Sequence, residues 1–186
     1  MSINPIIRQR RSIFPAQYSA KPIAKATLKK LLEAANWAPT HRKTEPWRFQ
    51  VIQGEFRSQL GRFLAEQYKS RAVKYSEFKY KKTLEKPQQA AAVIVINMQR
   101  DPEERVPEWE EVAATAMAVQ NLWLQATELG LGGYWSSPAS VADMGELLEM
   151  APGEKCLGLF YLGHFDGPPP ERTPESIADK VKWLGE

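Results

Sequence analysis

The sequence is poor in residues that carry out chemistry unaided. Of its 186 residues one is cysteine, Cys156, and two are histidine, His41 and His164. A single thiol forms no internal disulfide, and with two histidines it does not make a zinc site. Cys156 lies in an apolar run, where a buried and inert thiol is the expected state. We therefore expect no metal centre and a reducing, cytoplasmic environment.

Long apolar segments and a large charge excess are also missing. No apolar stretch has the ~20 residues that a membrane-spanning helix needs, and the start of the chain lacks the apolar core of a secretory signal. The formal net charge is +3, too small to indicate nucleic acid binding. Seven basic residues crowd the segment 69–86, which we interpret as a solvated helix face or a mobile lid. Neither a membrane nor nucleic acid is expected as a partner.

The residues that are present suit one folded domain over 1–186. The chain is 43% hydrophobic and 25% charged, as is usual for a soluble protein. Leucines at helical spacing predict an amphipathic helix over 24–37, and alternation from Trp47 predicts a strand. The continuous apolar run 91–97 predicts a buried central strand. Because helices and strands mix without regular alternation, we expect an α+β fold.

Caps, prolines and glycines predict the remaining boundaries. Asn4 is expected to cap a short first helix, and Pro87 to end the helical region that starts near residue 55. Periodicity fades after Tyr68, so mobility is expected there. The strongest helix covers 112–126 and is apolar nearly all round, so it should be central. Further predictions are a helix stop at Gly130 and Gly132-Gly133, a helix over 140–149, a strand over 157–162 and an extended proline-rich arm over 167–186 that could cross onto another subunit.

Common catalytic motifs are not evident. The run Gly130-Leu131-Gly132-Gly133 follows a helix instead of a strand, so it lacks the context of a dinucleotide-binding loop. The sequence has no Gly-x-Ser-x-Gly nucleophile motif. Glu110-Glu111 begins the central helix, where negative charge favours the helix dipole; a general acid/base role is the alternative. If the protein is an enzyme, the chemistry is expected to belong to a cofactor.

Two segments are rich in hydrogen-bond donors. Arg10-Arg11-Ser12 offers two guanidinium groups, whose planar forks match phosphate or carboxylate oxygens. The segment 38–47 contains Thr40 and His41 between two prolines that stiffen it, which suits a polar ligand. A solvated helix end and an ordinary structured loop are the alternative interpretations, and these residues alone do not decide between them.

Together these segments resemble the nitroreductase family of flavin enzymes. The resemblance rests on Arg10-Arg11-Ser12, on Ala38-Pro39-Thr40-His41 followed by Pro46-Trp47-Arg48-Phe49, and on Gln120-Asn121-Leu122 with Gly130-Leu131-Gly132-Gly133-Tyr134-Trp135. The resemblance covers residues 3–174. Within the family, the chain looks most like the compact bacterial subgroup of predicted NAD(P)H nitroreductases. It implies a three-layer α/β/α sandwich with a mixed central sheet and an obligate homodimer.

The resemblance also implies a cofactor and a reaction. Family members bind FMN without a covalent bond at the dimer interface, and they work by a ping-pong cycle in which NADH or NADPH reduces the flavin before an acceptor oxidises it. Arg10, Arg11 and Ser12 would hold the phosphate, the ribityl chain and the pyrimidine edge. The remaining implied contacts are Pro39, Thr40 and His41 from the other subunit, Trp135, Ser136 and Ser137 along the isoalloxazine ring, and Arg172 on the phosphate.

The sequence departs from the family pattern at three places. Many relatives have a lysine or arginine where this chain has Phe14, and asparagine and glutamine where it has Lys43-Thr44-Glu45. Close relatives often have arginine in place of Trp37, which here either stacks on substrate or packs in the core. Nitro-aromatic compounds and quinones are the expected acceptors. The alternatives are a family member with a different reaction (dehalogenation, dehydrogenation or flavin consumption) and a non-catalytic protein that binds acidic partners through 69–86.

Overall fold

A computed structural model describes residues 2–185; Met1 and Glu186 lie outside the described residues. The α-helices are α1 (Asn4–Gln9), α2 (Lys25–Asn36), α3 (Phe56–Arg71), α4 (Glu77–Gln89) and α5 (Glu108–Glu128). The strands are β1 (Trp47–Ile52), β2 (Ala92–Gln99), β3 (Leu131–Ser136) and β4 (Glu154–His164). Short 3₁₀ segments cover Pro15–Gln17, His41–Lys43, Ala139–Glu146 and Ala178–Lys180. The prediction of an α+β fold is confirmed.

The four strands form one sheet in the order β1-β2-β4-β3, so β1 and β3 are its edges. All three strand pairs are antiparallel, with Val95 opposite Leu159 between β2 and β4. Among residues 2–185, parallel pairing occurs only at an isolated bridge between Ser12 and Gly133. The four-stranded sheet is therefore antiparallel, and the mixed sheet that the resemblance implied was wrong. The isolated bridge joins the Arg10-Arg11-Ser12 segment to the start of β3.

Both faces of the sheet are covered, which confirms the three-layer arrangement. Side chains alternate across a strand, and the central strand β2 shows the result. Ile94 and Ile96 pack in a core with α2 and α5, whereas Val93 and Val95 pack in a second core with α3. A strand buried on both faces needs apolar residues at every position, which explains the unbroken run in the sequence.

Helix α5 is the long helix beside the first core, as predicted. Its inner side places Ala118 and Leu122 against the sheet with almost no exposed surface. Its other side is apolar as well but uncovered, because Trp109 and Met117 are exposed. A helix that is apolar on both sides and covered on one points to a further partner surface.

Several predicted boundaries were wrong. The first helix is capped by Ile3 without a side-chain bond, so Asn4 is already helical. Pro87 lies inside α4, where only two helical residues follow it, and a helix can lose one hydrogen bond so near its end. Gly130 follows the end of α5 and has a φ of +69°, as a helix stop requires. Gly132-Gly133, which were predicted to be part of the same stop, belong to β3. The predicted helix over 140–149 is a 3₁₀ segment.

The region after Tyr68 is also more regular than its periodicity predicted. Helix α3 continues to Arg71, and Ser76 caps α4 through its side chain. The two helices pack closely because Gly61 has no Cβ, which would otherwise collide with the Leu84 carbonyl. The Tyr80 hydroxyl donates to Glu66 Oε1 at 2.6 Å, which adds a polar link between the helices.

The C-terminal arm has no helix or strand from 166 to 185 apart from its short 3₁₀ segment. Arg11 Nε donates to the Pro170 carbonyl at 2.6 Å and thereby fixes the start of the arm beside α1. Farther on, Ile177, Trp183 and Leu184 are exposed. Crossing of the arm onto another subunit, and the single domain over 1–186, stay predictions. Within residues 2–185, no helix is both long and apolar enough to span a membrane.

Candidate functional site

Three arginines meet where α1 ends, and we call them the basic end: Arg10, Arg11 and Arg172. The Arg10 guanidinium lies over the Trp123 ring of α5 at 4.4 Å. Burial lowers the pKa of Arg10, and the nearby charges of Arg172 and Arg11 lower it further. In the described part of the chain, none of the three has an ion pair with a carboxylate. Uncompensated guanidiniums suit a dianionic group such as a phosphate.

Arg11 and Ser12 have partly structural roles. Besides Pro170, the Arg11 guanidinium donates to the carbonyls of Arg8, at 2.6 Å, and Arg10, at 2.9 Å. Ser12 is exposed, and its backbone forms the parallel bridge to Gly133. The predicted triplet is therefore one unit in which Arg11 fixes the backbone while Arg10 remains free of acidic partners. Of the two arginines, Arg10 is the better candidate for ligand contact.

The predicted ring-binding residues lie at the end of β3, the edge strand that the Ser12–Gly133 bridge joins to the basic end. Trp135 and Ser136 are half-buried, whereas Ser137 is exposed. Gly158 of β4 lies beneath them, and a Cβ there would come within 2.9 Å of the Ser136 carbonyl. A side chain at this position would therefore displace the turn, so glycine is required beneath it.

Lys86 of α4 also reaches this turn, and the sequence reasoning missed it. Its Nζ donates to Ser136 Oγ at 3.2 Å and lies 4.6 Å and 4.8 Å from the ring centres of Tyr134 and Tyr161. Burial, with a smaller effect from Lys82, lowers the pKa of Lys86 to about 8. Nothing local in the sequence distinguishes Lys86 from the other basic residues of 69–86, and the segment was interpreted as a solvated helix face or a mobile lid.

The second group of predicted residues packs on the first half of α5, and we call it the loop end: Pro39, Thr40 and His41 with Trp109, Glu110 and Met117. These residues line an open cavity of about 280 Å³. His41 Nδ1 and Glu110 Oε2 are 2.6 Å apart. Glu110 therefore orients the His41 ring, and its negative charge also interacts favourably with the dipole of α5. Sequence reasoning treated Glu110 only as part of the helix start or as an acid/base candidate.

The loop that carries His41 is held in an unusual conformation. Arg42, Lys43 and Glu45 all have positive φ angles, between 43° and 55°. Such angles are costly for residues with a Cβ and are found where neighbouring structure enforces them, often at binding sites. Thr40 Oγ1 contributes by accepting a bond from the Glu45 amide at 3.2 Å. The stiffness expected from the two prolines is thus reinforced by side-chain bonding.

Within one chain the structure separates the two ends. Arg10 contacts Trp123, whereas His41 contacts Glu110, thirteen residues earlier on α5 and about 20 Å away along the helix. The loop end precedes β1, and the turn after β3 lies at the opposite edge of the sheet. One chain alone therefore does not bring all ten predicted contacts to one ligand.

Trp37 lies at the end of α2 and is 82% exposed, so the core-packing alternative for this residue is wrong. It lines a surface groove together with Ile3, Ile6 and Leu124. Ile3 and Ile7 of the neighbouring α1 region are exposed too. The groove adds to the uncovered apolar surface along α5. Contact between Trp37 and a substrate stays a prediction.

Metal ligands do not cluster in the described residues. Among residues 2–185 no group of three or more histidine, cysteine, aspartate or glutamate side chains could hold an ion. Burial raises the pKa of the Cys156 thiol to about 11, which keeps it protonated at neutral pH. The described residues therefore offer neither a metal site nor a reactive thiol.

Comparison with known proteins agrees with this architecture. A sequence model described as "Nitroreductase family" matches residues 7–164. A Bacillus subtilis protein named "Putative NAD(P)H nitroreductase YfhC" is 30% identical over 184 residues, which cover 96% of this chain and 92% of that protein. A nitroreductase-like protein from Bacillus cereus superposes with a TM-score of 0.84 at 27% identity, covering 100% of this chain and 97% of the other.

More distant structures share the fold. A nitroreductase with bound FMN from Bacteroides fragilis superposes with a TM-score of 0.73 at 16% identity, covering 99% of both chains. The three-layer α+β architecture is thus that of the nitroreductase-like proteins. The family match and the YfhC relationship then settle the assignment: this chain belongs to the nitroreductase family. The resemblance predicted from the motifs is confirmed.

Proposed function

We propose that the protein is an FMN-dependent oxidoreductase that passes a hydride from NADH or NADPH to nitro-aromatic, quinone or similar acceptors by a ping-pong mechanism. The observation that carries the proposal is the basic end, where three guanidinium groups converge without a carboxylate partner in the described residues. The name of the B. subtilis relative supports NAD(P)H as the reductant, and the FMN-bound B. fragilis structure supports the cofactor.

Each residue of the basic end has a role in this proposal. Arg10 and Arg172 would neutralise the phosphate, while Arg11 holds the α1 end and the arm together around it. Ser12 extends the contact toward the ribityl chain and the pyrimidine edge. Trp135, Ser136 and Ser137 would present backbone N–H groups and a flat surface to the isoalloxazine ring. Charge-assisted bonds from arginine suit an anion that is held without a covalent link.

The bound FMN would accept and donate the hydride, and the protein would supply binding and orientation. Hydride transfer requires the donor, the ring and the acceptor to lie within a few ångströms in turn, so positioning dominates over acid/base residues. Such a mechanism needs no catalytic triad. The loop that carries Pro39, Thr40 and His41 would cover the ring and exclude water from the reaction.

We propose that this loop comes from a second copy of the chain. The loop end is too far from the basic end to share a ligand within one subunit, and the apolar side of α5 between them is uncovered. Exposed Trp109, Met117 and Trp37 supply the apolar area that a homodimer would bury. The exposed Ile177, Trp183 and Leu184 of the arm would add to the same contact. Cytoplasmic location remains part of the proposal, since the free Cys156 suits a reducing compartment.

The decisive experiment is anaerobic reduction of the purified protein. The proposal predicts a yellow protein with about one FMN per subunit, whose absorbance is bleached by NADH or NADPH and restored by a nitro-aromatic or quinone acceptor. Initial rates at several acceptor concentrations should give parallel double-reciprocal lines, as a ping-pong cycle requires. A colourless protein that takes up no added FMN would refute the proposal. Flavin that neither nucleotide reduces would favour a family member with another reaction.

The alternative of a non-catalytic protein with acidic partners depended on the segment 69–86. In the structure this segment is partly neutralised, because Arg71 pairs with Asp143 and Lys81 pairs with Glu77. Lys86 points inward to Ser136 instead of facing solvent. The segment therefore does not present one continuous basic surface, and no specific observation favours this alternative.

A further inference from the structure

The corner where α4 meets the end of β3 carries positive charge that nothing in the described residues neutralises. Lys86 is half-buried, contacts the Ser136 hydroxyl and two tyrosine rings, and has no carboxylate within ion-pair distance among residues 2–185. The cost of burying an ammonium group is normally offset by an acid partner. At Lys86 two aromatic rings take the place of the acid partner, so the positive charge is stabilised but not neutralised.

Lys82 adds a second positive charge at the same corner. It precedes Lys86 by four residues on α4, so both side chains share one face of the helix. Lys82 is close enough to lower the pKa of Lys86 by repulsion. In contrast Lys81, one position away, faces a different direction and pairs with Glu77 at 3.5 Å. Two like charges on one face, one of them half-buried, are stabilised when an anion binds between them.

An aromatic surface lies beside the two lysines. The Phe14 ring is half exposed and lies 4.6 Å from the Tyr134 ring, centre to centre. Tyr134 is also one of the rings under the Lys86 ammonium. Phe14, Tyr134 and Lys86 are thus consecutive contacts that join a flat apolar surface to a cation. A flat ligand with a negative group fits both parts at once.

We propose that this corner binds the electron acceptor and that Lys82 and Lys86 select aromatic anions, such as ring carboxylates and phenolates, over neutral aromatics of the same shape. The inference rests on the proposed function, because it assigns the acceptor to the turn at Ser136 along which the flavin ring is proposed to lie. Phe14 and Tyr134 supply the stacking surface, and the two lysines supply the charge preference.

The test compares two ligands of nearly equal shape. Benzoate and benzamide are titrated by calorimetry into the oxidised holoprotein without a reductant, so that no turnover occurs. Benzoate should bind about tenfold more tightly than benzamide, which is the difference expected from a charge-assisted bond. Equal affinity of the two ligands in the wild-type protein would overturn the proposal.

Four variants separate charge from stacking. Lys82→Gln and Lys86→Gln should each weaken benzoate binding severalfold and leave benzamide unchanged. Phe14→Ala should weaken both ligands alike, because it removes only the stacking surface. Lys81→Gln is the matched control, since it removes the same charge from the same helix away from the corner, and it should change neither affinity. If Lys81→Gln loses as much benzoate affinity as Lys82→Gln, the effect comes from the net charge of the helix and not from a contact at the corner. That result would refute the assignment of Lys82 and Lys86 to anion selection.

Flavin content, measured by absorbance on each sample, separates this inference from the proposed function. If the protein holds no flavin, the proposed function fails, yet the benzoate-to-benzamide ratio still decides whether the corner selects anions. If Lys86→Gln loses flavin but keeps the full preference for benzoate, Lys86 serves the cofactor and the acceptor assignment is wrong. Both results are readable because neither measurement needs turnover.

The pH dependence gives a second readout. The groups that face Lys86 are Lys82 on the same helix, Tyr134 on β3 and Tyr161 on β4, and burial raises the pKa of Tyr161. Between about pH 6.5 and 9.5 benzoate remains ionised, and Lys86 loses its proton as the pH rises through about 8. Benzoate affinity should therefore fall across this range while benzamide affinity stays level. A flat benzoate profile in the wild-type protein would contradict the role of Lys86.

Discussion

The two ends of the candidate site differ in how their charges are compensated. At the basic end, Arg10 is surrounded by other cations and rests on the Trp123 ring. At the loop end, His41 is paired with Glu110, and the exposed surface is mostly apolar. Positive charge without an acidic partner is stabilised by an anionic ligand, whereas an exposed apolar surface is stabilised by contact with another protein surface. This difference supports the two proposals made above, that the basic end holds the FMN phosphate and that a second subunit covers the loop end.

The largest effect is expected from placing a charge in the apolar surface of the loop end. Met117→Arg should break the dimer, because an unpaired charge buried at an interface costs about 3–5 kcal/mol. Flavin should be lost together with the dimer, since each site would lose its cover. Sedimentation and flavin absorbance measure the two effects. Gln59→Arg, on an exposed position of α3 in the opposite layer, is the control and should change neither.

At the basic end, Arg10→Ala should weaken FMN binding by about 100-fold, the loss expected for one charge-assisted contact to a phosphate. Folding should be affected much less, because the cation–π contact with Trp123 contributes about 1 kcal/mol. Equilibrium dialysis gives the affinity, and urea unfolding of the apoprotein gives the stability. Arg8→Ala removes an exposed arginine from the last turn of α1, two residues before Arg10, and should retain the flavin. An Arg10→Ala protein with full flavin content would contradict the assignment.

A smaller effect is expected from a change beneath the basic end. A Cβ on Gly133 would lie 2.6 Å from Phe160 Cζ and 2.9 Å from Trp123 Nε1. Gly133→Ala should therefore lower the free energy of unfolding by about 1–3 kcal/mol, the usual cost of overpacking. Because Trp123 supports Arg10, flavin affinity should fall as well. Gly130→Ala meets no atoms within 4 Å but strains a φ of +69°. It should lower stability by about 1–2 kcal/mol without weakening flavin binding.

The smallest effect belongs to the pair at the loop end. His41 and Glu110 are partly exposed, so their coupling should be below about 1 kcal/mol. A double-mutant cycle with His41→Asn and Glu110→Gln, followed by urea unfolding, measures this energy. A coupling of several kcal/mol would contradict this expectation, because it would require the pair to be largely buried.

The sequence predicted those helices and strands whose residue pattern fits only one kind of secondary structure. The apolar run of β2 and the leucine spacing of α2 led directly to their positions, and the ordered motifs led to the family. Other features depend on contacts between distant segments. Nothing local to Lys86 indicates that it turns onto Tyr134 and Tyr161, and the packing of α3 on α4 depends on the contact between Gly61 and Leu84. The boundaries at Asn4 and Pro87 were wrong by one and two residues, because helix ends fray and a proline near a helix end removes only one hydrogen bond.

The positive φ angles of the loop end could not be predicted from the sequence either. Arg42, Lys43 and Glu45 are not residues that favour this conformation, so nothing in their identity predicts it. The contribution of Pro39, Thr40 and His41 from another subunit followed from the family resemblance alone. The structure adds an independent reason for it, namely the separation of about 20 Å along α5 between the contacts of His41 and Arg10.

Subunit complementation tests the central claim most directly. One variant, Arg10→Ala with Arg172→Ala, removes the basic end, and another, Pro39→Gly with His41→Ala, disrupts the loop end. Each homodimer should lose its flavin. Mixed dimers, purified through two different tags, should regain about one tight FMN per dimer, because one site then combines an intact basic end with an intact loop from the other subunit. Mixed dimers without flavin, or a loop variant that retains flavin as a homodimer, would contradict a site shared between subunits.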